Sequence, residues 1–251
     1  MTLLKLPKQF TPDFSRPGVK PSNQVVIDWN NPLARGLKGV HLMVKDGQDL
    51  YLRRDYSDTG ATFGPIGVSL SSGGLAYGNI HDNYEELSVS ACINPHTGIS
   101  DFATIAARRG TNYEFQFRIR SGTEAISLLT TSGSVNGSSN SAPLDEITHV
   151  GFTNDGVTSK LYSSGVNVGE AARTRSTQNV NFEIGARSDT TSQFWLGEIE
   201  YIYVWNRTLS QPEMASIAKN PYQILKPAVE PYYFTAAGAA SATISADVGV
   251  Y

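Results

Sequence analysis

The chain has 251 residues, 40% hydrophobic and 10% aromatic, enough for one large β domain or two small ones, and no apolar run approaches the length that spans a bilayer. Twenty basic residues against 23 acidic ones leave a net charge of −3 with no basic stripe, which argues against nucleic-acid binding. The single cysteine, Cys92, excludes an internal disulfide and a cysteine-based metal cluster, and reads as a small buried hydrophobe.

The opening, MTLLKLPKQFTPDF, is interrupted by Lys5, Pro7 and Lys8 and lacks the apolar region and small-residue cleavage site of a secretory signal. That predicts a chain made in the cytoplasm without secretory processing. Residues 1–24 carry Pro7, Pro12, Pro17 and Pro21, so they read as an extended arm, because proline fixes φ and removes donors. Strands are expected at 24–29 and 38–44, then at 87–93. The run Tyr113-Glu114-Phe115-Gln116-Phe117-Arg118-Ile119 alternates large apolar residues with Glu, Gln and Arg, the pattern of a strand with one buried face. Arg108-Arg109 before it reads as a solvated hairpin end.

Further strands follow at 147–153 and 160–162, separated by the turn Asn154-Asp155-Gly156, and at 166–168 after Ser163-Ser164-Gly165. Strands at 182–185 and 194–205 complete the set. One helix is predicted: Ser210 and Glu213 have capping-box spacing, Pro212 lies near its start, and Met214, Ile217 and Ala218 form an apolar stripe. It ends near Asn220, since Pro221 disfavours helix in the residue before it. Many short antiparallel strands with Gly/Ser turns and one short C-terminal helix predict an all-β, two-sheet jelly-roll sandwich over residues 25–225. Residues 226–251 read as an Ala/Gly linker and a terminal strand at 243–251. That strand lacks a hairpin partner and would pair with a sheet edge in another subunit.

Three groups of residues resemble a known family. Thr148-His149-Val150-Gly151-Phe152-Thr153 with Asn154-Asp155-Gly156 and Lys160-Leu161-Tyr162 resembles a hairpin of laminin G-like, concanavalin A-type jelly rolls. Ile184-Gly185, Phe194 to Ile199, and Val204-Trp205-Asn206-Arg207-Thr208-Leu209-Ser210 with Glu213 resemble the closing signature of that family. The match runs in order over about 80–225. Ile27-Asp28-Trp29-Asn30-Asn31-Pro32-Leu33-Ala34-Arg35-Gly36-Leu37 resembles a lead-in common in bacteriophage proteins that carry this domain. The resemblance implies a two-sheet jelly roll on a virion protein that binds carbohydrate, cell-surface ligands or neighbouring proteins, sometimes with a rim calcium, and is rarely an enzyme.

Glu198 and Glu200 fall on one strand two residues apart, so both side chains point the same way, about 7 Å from each other. A carboxylate pair is the machinery of glycoside hydrolysis. Laminarinase-like hydrolases of this fold carry three acids on one strand face, and the matching positions here are Glu198, Glu200 and Tyr203. The proton donor is therefore missing. Simple alternation puts Glu198, Glu200 and Ile202 on one face and Ile199, Tyr201 and Tyr203 on the other, which reads as an acidic solvent face. No catalytic residue is assigned.

Calcium would need oxygen ligands on the rim, for which Asp155 and Asp189 are candidates, although turn chemistry explains Asp155 without a metal. His41, His81, His96 and His149 have no metal-ligand spacing, and His149 reads as a hydrogen-bonded structural residue. Tyr77, Tyr84 and Tyr113 lie near turns and are candidates for stacking on a sugar, against the alternative of half-buried sheet aromatics.

Together these features lead to an expected role as a non-enzymatic virion structural protein of a capsid or tail. It would be fastened to virion proteins and to copies of itself through residues 1–24 and 240–251, and could also bind host-surface glycans. A carbohydrate-binding adhesin and a hydrolase using Glu198 and Glu200 are the alternatives. No cofactor is expected apart from the calcium candidate.

Overall fold

The computed structural model describes residues 21, 25–43, 50–51, 57–58, 60–64, 67–70, 74–77, 84–110, 113–176, 180–187 and 193–228. The proline-rich arm, apart from residue 21, and the strand expected at 243–251 lie outside them.

In chain order the strands are β1 (Val25–Ile27), β2 (Leu37–His41), β3 (Ser57–Asp58), β4 (Ala61–Phe63), β5 (Val68–Leu70), β6 (Leu75–Ala76), β7 (Leu87–Pro95), β8 (Ala103–Arg109) and β9 (Tyr113–Arg120). They continue as β10 (Ala125–Thr130), β11 (Gly133–Asn136), β12 (Thr148–Asn154), β13 (Thr158–Ser163), β14 (Val166–Ala172), β15 (Phe182–Ile184), β16 (Gly197–Trp205) and β17 (Leu225–Pro227). A short 3-10 turn covers Pro32–Ala34, and the helix α1 covers Gln211–Lys219.

Two antiparallel sheets form the sandwich. One has seven strands in the order β11-β10-β9-β8-β15-β6-β3; the other has eight, β14-β13-β12-β7-β16-β5-β4 with β2 also paired to β16. Their inner faces meet in one core that includes Phe115, Phe117 and Ile119 from the alternating run, with Phe152, Ile199, Ile202 and Val204 opposite. Burying a side chain of this size stabilises by about 2–3 kcal/mol, so this interface dominates the fold.

A second core covers the outer face of the eight-stranded sheet. Cys92, Tyr162, Tyr201, Tyr203 and Trp205 point outward there and are roofed by Met214 and Ile217 of α1, by Tyr222, and by the β1–β17 ribbon. Lys226 and Pro227, at the start of the expected linker, are thus part of a strand paired with β1.

Local chemistry explains the joints. Ser164 (φ 48°) and Gly165 (φ 79°) form a two-residue hairpin loop with both residues left-handed, the twist that suits adjacent antiparallel strands. A Cβ on Gly165 would come within 2.4 Å of Ala215 Cα, so this turn seats the helix. At the start of α1, the Glu213 carboxylate accepts from both the backbone N–H (2.8 Å) and the hydroxyl (2.9 Å) of Ser210 and pairs with Arg207 at 2.7 Å. The helix ends at Lys219, just before Asn220 and Pro221, as the proline rule predicts.

The two sequence motifs at opposite ends of the domain meet. Trp205 Nε1 donates to Leu33 O at 2.7 Å, Arg207 Nε donates to Arg35 O at 2.8 Å, and Asn206 N donates to Gly36 O at 2.8 Å. The lead-in at 27–37 is therefore packed onto the closing signature as part of the domain.

One sequence expectation fails here. Arg108 is buried, because Glu114 accepts from it at 3.1 Å and forms ion pairs with both Arg108 (3.0 Å) and Arg175 (2.8 Å). Arg175 also donates to Asn154 Oδ1 at 3.0 Å, so the cluster ties the two sheets together.

Candidate functional site

The carboxylate pair sits on β16, whose pairing with β7 slips at one residue. Ile199 is opposite Ile93 and Tyr201 is opposite Cys92, leaving Glu200 as the extra residue of a β-bulge. The bulge overturns the simple alternation. Ile199 and Ile202 both face the main core, while Tyr201 and Tyr203 face outward into the second core, where Glu200 also lies.

The acidic solvent face is likewise corrected. Glu200 is 2% exposed; Tyr222 Oη donates to its Oε1 and Cys92 Sγ donates to its Oε2 at 3.0 Å. Burial and the neighbouring carboxylate push the Tyr222 phenol far above its ordinary value, which keeps it a donor. Glu198 is different: its side chain is 23% exposed, His96 Nε2 lies 2.7 Å from Oε2, and Asn94 Nδ2 donates to the same oxygen at 2.9 Å. The two carboxylates thus occupy separate environments, one under the helix layer and one at its margin. Tyr203, at the third-acid position, is fully buried and stacks on Tyr201 with centroids 4.5 Å apart.

Other sequence candidates disperse. Asp155 accepts from the backbone N–H groups of Val157 (2.9 Å) and Thr158 (2.6 Å); the Thr158 bond above all holds its carboxyl below the usual range. Asp189 lies outside the described residues, and among the described residues no group of three or more His, Cys, Asp or Glu is arranged to hold a metal ion. Tyr77 is buried, its ring 4.3 Å from that of His41, so it is closed to a sugar. Tyr84 is half-buried against the main core, and the Tyr113 side chain lies outside the described residues. His149 has the expected structural role: its Nε2 lies 2.8 Å from Ser90 Oγ, and burial pushes the imidazole down to about 4.

The outer face of the seven-stranded sheet carries a different set. Residues alternating with Phe115, Phe117 and Ile119 place Gln116, Arg118 and Arg120 there. Gln116 Nε2 donates at 2.7 Å to both Thr104 Oγ1 and Gln193 Oε1, and Arg118 Nη1 donates to Gln116 Oε1 at 3.3 Å. The Phe102 ring lies 4.0 Å from the Arg118 guanidinium carbon and 5.8 Å from that of Arg120. Phe102 (φ 66°) and Gln193 (φ 65°) are both non-glycine residues in the left-handed region. Such strain persists where surroundings over-determine it, and it clusters at binding sites. A buried polar row thus holds Gln193 and the Phe102 ring, with Arg120 half-buried beside that ring. The period-two run signals the outward position of Gln116 and Arg118; nothing local in the sequence signals the turns that bring in Phe102 and Gln193.

Two facing antiparallel sheets with a capped helix define a lectin-like jelly-roll protein. The chain belongs to the concanavalin A-like lectin/glucanases superfamily in its laminin G form, whose profile matches residues 69–215, more than half of its length. No curated protein matches it in sequence. Among solved structures it is similar to a Trypanosoma rangeli sialidase in complex with 2,3-difluorosialic acid, at 15% identity and a TM-score of 0.62, over 76% of this chain and 33% of that one. It is also similar to domain 4 of AbnA, an extracellular arabinanase from Geobacillus stearothermophilus in complex with arabinotriose. That likeness has 16% identity and a TM-score of 0.59, over 72% of this chain and 98% of that one. The chain spans about a third of the sialidase, and at these identities the likenesses show the fold alone.

Proposed function

We propose that the chain is a non-hydrolytic carbohydrate-binding module of a bacteriophage virion protein. The observation that carries the binding function is the unequal treatment of the two outer sheet faces. One is roofed by α1 and the β1–β17 ribbon; the other holds a hydrogen-bonded polar row against Gln193 and Phe102, with Arg120 beside the Phe102 ring. A ring face beside a guanidinium and an amide suits a sugar, which offers an apolar C–H face and a rim of hydroxyls.

Glycoside hydrolysis needs a carboxyl group within reach of the glycosidic oxygen. Glu200 is held under Tyr222 and its partner acid is replaced by Tyr203, which favours binding without cleavage. The virion setting is supported by the resemblance of residues 27–37.

A glycan array tests the binding function: selective binding that Arg120→Ala and Phe102→Ala abolish supports it, and binding unchanged in both variants refutes it. Cleavage of a β-glucan that Glu198→Gln stops would establish a hydrolase instead. Antibody labelling of purified particles tests the setting separately.

A further inference from the structure

Of the three tryptophans, Trp195 and Trp205 are completely buried, while Trp29 is 60% exposed. It stands at a pocket of about 410 Å³ beside the β1–β17 ribbon, lined also by Val26, Asn30, Leu50, Tyr51 and Lys226. That volume falls within the roughly 300–1,000 Å³ typical of small-ligand sites.

The aromatic groups form a corner. The Trp29 and Tyr51 rings are 6.1 Å apart at 67°. Lys38 Nζ donates to Tyr51 Oη at 3.4 Å and sits 5.7 Å from the centre of its ring, which fixes the tyrosine. Trp29 is carried on a tied turn: Asp28 N donates to Ile224 O at 2.8 Å, Asn31 N to Asp28 O at 3.0 Å, and Asn31 Nδ2 to Gln223 O at 2.7 Å. An indole held this firmly and left this open to water has an apolar face with little to cover it. Among the described residues, packing supplies no reason for its exposure.

The polar groups decide the ligand class. Lys226 Nζ lies 3.8 Å from Asp28 Oδ1 with both side chains partly exposed, so the local charges balance. Lys38 is engaged by Tyr51. What remains at the mouth is the exposed Asn30 beside a neutralised ion pair, able to donate to and accept from hydroxyls. Lys38 keeps its positive charge, but it stands against the Tyr51 ring and does not line the pocket, whose own cation, Lys226, is balanced by Asp28.

We infer that the Trp29–Tyr51 corner is a binding site for a neutral sugar ring, with its C–H face on the indole and its hydroxyls held by Asn30, Asp28 and Lys226. The site lies outside residues 69–215, at the separate β1–β17 ribbon and not on the sheet face that carries Arg120, and does not rest on the reading of that face.

Acrylamide quenching of intrinsic fluorescence reads Trp29 selectively, because the other two indoles are buried. Titration of the full chain with cellohexaose, maltohexaose, laminarihexaose and arabinohexaose should protect Trp29 from quenching in at least one case. Calorimetry with that hexamer should show binding weakened about tenfold or more by Trp29→Ala and less by Trp29→Phe, which keeps an aromatic face. Unchanged circular dichroism in both variants checks that the fold survives. No protection by any neutral hexamer overturns the inference, as does equal protection by a galacturonate hexamer. Protection that appears on raising protein concentration without sugar would make the corner a contact between copies, and also overturns it. Because the quenching signal comes from Trp29, loss of the sheet-face site leaves this test standing.

Discussion

Tyr222 donates its phenolic hydrogen to Glu200 Oε1, closing the loop after α1 onto the bulge of β16. The same carboxylate accepts from Cys92, so the outer core is built around a buried acid with two donors. A buried acceptor satisfied in this way stabilises little on balance, but removing a partner exposes the full desolvation cost of what remains. Tyr222→Phe should therefore lower stability by about 1–3 kcal/mol, and Glu200→Ala, which leaves the Tyr222 phenol without its acceptor, by more. Urea denaturation would show a lower midpoint at unchanged slope. The double variant should cost less than the sum of the two, since the residues are in contact.

His149 supplies a pH dependence. Burial lowers its imidazole to about 4, against an ordinary value near 6.5 in the unfolded chain. Between these values the unfolded state binds the extra proton, so stability is full above about pH 6.5 and falls as pH drops towards 4. The loss attributable to this residue is about 3 kcal/mol at most. Urea midpoints measured from pH 7 to 4.5 should decline less steeply in His149→Gln than in the wild type. Equal slopes would assign the acid sensitivity to other groups.

Arg175 is the second keystone. It pairs with Glu114 at 2.8 Å and donates to Tyr84 O at 2.8 Å, Glu85 O at 3.0 Å and Asn154 Oδ1 at 3.0 Å. Burial lowers its pKa and the Glu114 charge opposes that shift. Arg175→Met removes four contacts at once and leaves a buried carboxylate with less positive charge, which should cost about 3 kcal/mol or more. Arg175→Lys should recover little, because an ammonium cannot span the same acceptors. Thermal unfolding of the two variants side by side decides this.

Sequence legibility followed range. The alternation of 113–119, the Ser164-Gly165 loop and the Ser210–Glu213 cap are local, so residue order specifies them. The bulge at Glu200 is not local: it exists because Cys92, rather than Ala91, faces Tyr201 on another strand. One unpaired residue reversed the faces of Tyr201, Ile202 and Tyr203 together, since side-chain period in a strand is two. The burial of Arg108 rests on its ion pair with Glu114, a carboxylate that Arg175, far away in sequence, also engages. Trp29 was legible as a motif residue, but its exposure depends on where Tyr51 and the β1–β17 ribbon come to lie.

Gly197, immediately before Glu198, opens β16 with φ of 133°, and a Cβ there would come within 2.1 Å of Asn94 O and 3.0 Å of His96 N. Both neighbours are backbone and cannot step aside without parting β16 from β7. Gly197→Ala should therefore destabilise the domain by about 2 kcal/mol or more, from backbone strain and collision together. Its effect should be concentrated at the β7–β16 end, where His96 N donates to Leu196 O at 3.0 Å, and hydrogen exchange at His96 should accelerate first. Gly122 is the control. It has no heavy atom within 4 Å of a built Cβ, so Gly122→Ala should leave stability unchanged or raise it by about 0.4–1 kcal/mol. Equal losses at both glycines would mean that the Asn94 contact does not set the geometry of the strand.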